Sequence, residues 1–215
     1  MDKTVSKIGF WSALIAFSAT TAFVIVQLLQ LVGVLTFPAD EIAIFTTSLC
    51  IVIPFILAML ALHYVTPAEK KFWSHGALLF TVMYAVFVTA NYVVQLATVI
   101  PVKLKGAAGD MGMLEQTPHS LFWDFDALGY IFMGLAMLMA LPVFERRRFQ
   151  NRVRLSFLAN GLVTPLIAFV YFYPGYSAGI LMIGLPWAVT APLAMLLLAI
   201  MFKKHYRATP PGPAI

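Results

Sequence analysis

The stretch "ANYVVQLATVIP", residues 90–101, decides how this chain is read. Nearly every residue in it belongs in oil, yet it carries Asn91 and Gln95, four residues apart and therefore on one face of a helix. An unpaired amide in hydrocarbon is costly, so that face must meet protein or water rather than lipid. Extending it in both directions gives Thr81, Tyr84, Val88, Asn91, Gln95 and Thr98, a seam in steps of three and four whose positions are mostly polar.

The rest of the chain explains why oil is the reference. Of 215 residues, 61% are hydrophobic and only 11% are charged, too few to cover a soluble domain of this length. Six apolar runs are long enough to cross a bilayer as helices, at residues 8–37, 42–65, 73–100, 127–144, 155–173 and 179–202. The expected fold is all-α: a polytopic membrane protein, a bundle of six transmembrane helices forming one domain over residues 1–207. The Pro-rich residues 208–215 are expected to be a disordered tail. The first run is too long for a signal-peptide core and reads as a retained span. No internal repeat relates the two halves.

Charge sets the expected orientation. With the N-terminus and C-terminus both cytoplasmic, 12 of the 14 Lys and Arg residues fall inside, leaving only Lys103 and Lys105 outside. The inner segments then carry net +9 and the outer ones net −4. The cluster "ERRRFQNRVR" is expected to meet anionic membrane lipid, and no nucleic-acid partner is expected. The expected location is a cell membrane, a bacterial inner membrane in particular. The lone Cys50 reads as a small buried hydrophobe and has no disulfide partner.

Most connections are short, but residues 102–126 are long for a bundle. Their second half, "TPHSLFWDFDALGY", reads as a helix start, with Thr117 as the cap and Pro118 in the first helical position. That register places His119 and Asp126 on one face, with Asp124 nearby, as catalytic candidates for acid–base chemistry. Acidic residues at a helix start also simply suit the helix dipole.

"GYSAG", residues 175–179, matches G-x-S-x-G and is similar to rhomboid-type intramembrane serine proteases in its Gly-flanked Ser and six spans. Those proteases need a His on a later span. The one His that follows, His205, belongs at the opposite face, so Ser177 is expected to serve the turn. His63 and His75 share that opposite face without metal-ligand spacing, so no metal site is expected. No phosphate loop or haem-clasping His pair is present, and no cofactor is expected.

The ligand-binding candidates are Gln27, Gln30, Asn91 and Gln95, supplying neutral hydrogen bonds, with Tyr84, Tyr130 and Tyr171 as walls. All but Tyr84 belong to the outer half of the spans, whereas Asn160 belongs to the inner half. The expectation is an outward-opening pocket for a small or amphipathic ligand bearing an uncharged polar group. The alternatives are an enzyme acting on a lipid-soluble substrate and a structural or accessory subunit. The enzyme reading requires His119 within about 4 Å of Asp124 or Asp126. The binding reading requires a cavity of order 300 Å³ or more reaching Asn91. The structural reading requires neither, with every amide paired.

Overall fold

Residues 3–106, 111–146 and 148–208 are described by a computed structural model of the chain. All six apolar runs are helical. They are α1 (Lys3–Leu31), α2 (Ala39–Val65), α3 starting at Lys71, α4 (Leu121–Met139), α5 (Arg148–Phe172) and α6 (Trp187–Ala208). Among the described residues six helical segments are long and apolar enough to cross a membrane, the shortest being Leu121–Val143. Each helix packs against the next in sequence, and α6 closes the ring against α1.

Small residues set the close approaches. A Cβ on Gly9 of α1 would come within 2.7 Å of the Phe202 ring of α6, which ties the ring closed at that end. A Cβ on Gly134 of α4 would sit 1.8 Å from Thr164 Oγ1 on α5, closer than any real contact. The outer faces are apolar: Trp11, Ile53, Phe72, Val86, Leu162 and Val189 are all exposed. An apolar exterior around a tightly packed interior is what lipid as solvent requires.

Several boundaries differ from the sequence expectation. α1 stops at Leu31, not near residue 37, because the chain reverses through a turn with Gly33 at φ +73°. α4 starts at Leu121, six residues before the apolar run, so Asp124 and Asp126 lie within the helix. Its cap is Ser120, whose hydroxyl accepts from Trp123 N at 3.1 Å, rather than Thr117. Pro118 and His119 therefore precede the helix, and His119 has left-handed backbone at φ +67°. Cys50 is exposed on the outer face of α2, not buried. The tail expected over 208–215 lies outside the described residues apart from Ala208, which ends α6.

α3 is the longest segment. It is α-helical over Lys71–Val94, passes through a π-helical turn over Gln95–Val99, and finishes with one more α-turn, Ile100–Leu104. In the wide turn Ile100 N donates to Gln95 O, five residues back. Pro101, with no N–H to give, follows at once. The wider turn moves the buried face by a residue. Thr81, Tyr84, Val88, Asn91 and Gln95 are buried as their spacing implies, but the next buried position is Val99, and Thr98 is exposed.

Candidate functional site

Alternating helix directions bring the C-terminal ends of α1, α3 and α5 and the starts of α2, α4 and α6 to one end of the bundle. Asp40, Glu41, Glu115, Asp124 and Asp126 gather there, while Lys70, Lys71, Arg146, Arg152, Arg154, Lys203 and Lys204 belong to the other end.

Asp126 is the hub of the acidic end. It lies one turn into α4 and is 2% exposed. Its Oδ1 accepts from Tyr92 OH at 2.6 Å and from Asn91 Nδ2 at 3.2 Å, and its Oδ2 accepts from Tyr171 OH at 2.5 Å. Three donors from α3 and α5 thus converge on one carboxylate, the arrangement an acceptor-only group needs when shut away from water. Tyr130 OH stands 3.3 Å from Tyr92 OH and extends the network.

The two amides of the opening stretch link that hub to the long connection before α4. Asn91 Nδ2 also donates to Gln116 Oε1 at 2.9 Å. Gln95 Nε2 donates to Leu114 O at 2.7 Å, and Gln95 Oε1 accepts from Gln116 N at 3.1 Å. Gln95 therefore holds residues 114–116 with a donor and an acceptor at once, as a strand partner would. A triad anchors the same connection: Lys103 Nζ lies 3.0 Å from Glu41 and 2.6 Å from Glu115.

The amides of α1 form a second network. Gln27 Nε2 donates to Gln30 Oε1 at 3.1 Å, and Gln30 Nε2 donates to Asp40 Oδ2 at 2.9 Å. Both networks line one hollow of about 260 Å³, walled by Gln27 and Gln30 on one side and by Gln95, Gln116, Asp126 and Tyr171 on another. Phe45, Tyr92, Trp123, Tyr130 and Tyr176 complete it with rings. A second, apolar cleft of about 160 Å³ adjoins it between α1, α5 and the start of α6. Phe23, Gln27, Tyr130, Tyr171 and Leu181 line both.

The candidates named from sequence are thus divided. Gln27, Gln30, Gln95, Tyr130, Tyr171 and Asp126 meet around one hollow. Asn91 is fully buried behind it, bonded to Asp126 rather than lining the space. Tyr84 does not line the hollow and is buried in the core, edge-on to Phe55 at 5.4 Å. His119 is exposed on the turn before α4, and among the described residues it bonds to neither Asp124 nor Asp126. The His119–Asp126 register assumed a helix beginning at Pro118, and the cap at Ser120 removes it. Asp124, in the first turn of α4, complements the helix dipole. Ser177 Oγ accepts from Ile180 N at 3.2 Å, capping the short helix Ala178–Leu181. Asn160, towards the other end, accepts from Thr190 Oγ1 at 2.9 Å.

Tyr92, Gln116 and Glu115 were not singled out from sequence. Tyr92 follows Asn91 and so lies about 100° round the helix from it, off the polar seam. It still reaches Asp126, because a tyrosine hydroxyl stands far from its backbone. Gln116 lies in a connection with no periodicity to mark it.

The fold and site define an all-helical protein with six helices fit to span a membrane and a carboxylate-centred hollow at one end. Compared with known protein families, with characterised proteins and with solved structures, the chain matches none.

Proposed function

We propose that this is a multi-pass protein of a bacterial inner membrane, both termini cytoplasmic, that binds a small or amphipathic ligand in the hollow at its outer end. The orientation rests on charge: the hollow opens at the acidic end, opposite the Lys- and Arg-rich segments that stay in the cytoplasm. The binding reading rests on one observation above the others. Two separate hydrogen-bonded networks meet at the same space of about 260 Å³, one through Gln27 and Gln30 and the other through Tyr92, Asp126 and Tyr171. All four amides are hydrogen-bonded, as helix packing alone requires, and what favours binding is the shared space their networks leave between them. The volume falls a little below the roughly 300 Å³ at which ligand pockets start, and Asn91 stands behind the space, reaching it through Asp126.

The test is native mass spectrometry of protein purified in a neutral detergent, beside an Ile44→Trp variant. Ile44 lines the hollow from α2, and an indole there fills it. The expected result is a species retained by the wild type and lost from the variant. An identical set of adducts on both proteins, or none on either, overturns the proposal. A reporter fused at the C-terminus and found outside the cell membrane overturns the orientation.

A further inference from the structure

We propose that the occupant of the hollow is an organic cation on an apolar chain, its ammonium group against Asp126 and its chain laid in the cleft between α1, α5 and the start of α6. This rests on the reading that the hollow binds a ligand at all, and it names the chemistry of that ligand.

Charge comes first. Three carboxylates line the space: Glu41, Glu115 and Asp126. Glu41 and Glu115 share Lys103 between them. Among the described residues Asp126 has no ionic partner, only neutral ones: Asn91, Tyr92, Tyr171 and Gln116. A carboxylate offers about four acceptor positions, and Tyr171 takes one on Oδ2. A buried charge held only by neutral donors remains costly, and a cation placed beside it recovers part of that cost. An uncharged guest leaves the deficit in place, and an anionic one deepens it.

The walls select the kind of cation. Trp123 packs on Tyr171 with centroids 4.5 Å apart and meets Tyr176 edge-on at 5.8 Å. Tyr92 stacks on Phe45 at 5.6 Å, and Tyr130 stands opposite. Ring faces around a carboxylate suit a weakly hydrated alkylammonium, which exchanges water for π faces at little loss. A small metal ion instead asks for a shell of oxygen ligands, and most polar groups around Asp126 are already turned towards it as donors.

The cleft accounts for the chain. Its walls include Leu28, Leu31, Met182 and Leu185, all exposed on the flank of the bundle. It opens because α6 is interrupted at this end: the short helix Ala178–Leu181 and the 3-10 turn Met182–Gly184 precede Trp187. A guest can therefore keep its chain among the lipid tails while its head enters sideways. Trp187, on the wall of this cleft, is 7% exposed, and among the described residues its Nε1 has no hydrogen-bond partner. An N–H left unpaired there awaits an acceptor, which an oxygen at the root of the guest's chain would supply.

The experiment uses full-length protein carrying Trp11→Phe and Trp73→Phe, so that fluorescence reports Trp123 in the hollow and Trp187 in the cleft. In dodecyl maltoside micelles it is titrated, by mole fraction, with dodecyltrimethylammonium, dodecylphosphocholine, dodecyl glucoside, dodecyl sulfate and tetramethylammonium. Dodecyltrimethylammonium is expected to saturate at a mole fraction roughly tenfold or more below the glucoside and the sulfate. Tetramethylammonium is expected to bind at least roughly tenfold more weakly for want of a chain. Equal saturation by dodecylphosphocholine supports the proposal with a phospholipid headgroup as the source, and saturation by the simple cation alone supports a free amine. Asp126→Asn is expected to weaken the cation roughly tenfold or more. Tyr176→Ala, at a half-exposed position where folding is not at stake, is expected to weaken it several-fold.

Saturation by the glucoside or sulfate at the same mole fraction as the cation overturns the inference and leaves ligand binding standing. So does failure of every amphiphile to saturate while the wild type retains its native adduct. Failure of both measurements ends both proposals.

Discussion

Tyr171→Phe tests the centre of the site with a single oxygen atom. The ring stays, so its packing on Trp123 at 4.5 Å is kept, and so is the Trp123 Nε1 bond to the backbone of residue 171. What goes is the hydroxyl that donates to Asp126 Oδ2 at 2.5 Å. A hydrogen bond to a charged group contributes about 1.5–3 kcal/mol. For a chain of this size each kcal/mol moves the melting midpoint roughly 2–4 °C. The expected fall is therefore about 3–12 °C, read by thermal unfolding in detergent.

The cause is isolated by repeating the substitution in an Asp126→Asn background. There the lost bond is to a neutral acceptor, contributing only about 0.5–1.5 kcal/mol, so the phenylalanine should cost less. Tyr84→Phe serves as the control, because Tyr84 is buried edge-on to Phe55 and is not a donor to Asp126, so its hydroxyl's removal should shift the midpoint by no more than about 2 °C. The reasoning is refuted if Tyr171→Phe matches this control, or if it costs the same with and without the Asp126 carboxylate.

Three further outcomes follow from the same geometry. Gly134→Ala drives a methyl into Thr164 and should destabilise by about 1–3 kcal/mol in denaturant titration, with partial rescue by Thr164→Ala, since Cβ of residue 164 stands 3.0 Å away as well. Gln95→Leu removes the acceptor of Gln116 N and the donor to Leu114 O, so hydrogen exchange of the Gln116 amide should quicken roughly tenfold; an unchanged rate contradicts the pairing. Lys103→Ala should cost no more than about 1 kcal/mol, because its partners are part-exposed, yet it should hasten proteolysis within residues 111–120, which lose a tether through Glu115.

Much of the fold was legible in the sequence because a bilayer imposes a one-dimensional rule. Each span must satisfy its own backbone, so length and hydropathy alone mark the six helices. The polar seam of α3 was equally plain from Thr81 to Gln95, since 3.6-residue periodicity converts spacing into a face. It slipped at Thr98 because a π-turn changes the period, and nothing in "QLATVIP" beyond Pro101 signals that change. Ser120 rather than Thr117 capping α4 is a choice among competing local bonds, and it separated His119 from Asp126.

Tertiary structure alone decided which polar groups meet. Asn91 and Gln95 were set one turn apart by sequence, but their partners Asp126, Leu114 and Gln116 are separated from them by 19 to 35 residues. Helical periodicity fixes the direction in which a side chain leaves its own axis and says nothing of what stands opposite. That depends on how six axes pack and where small residues such as Gly134 let them close. Hence the sequence determined that a bundle of helices apolar enough to span a membrane would keep amides inside, and only the packing gathered them around a carboxylate and left a space beside it.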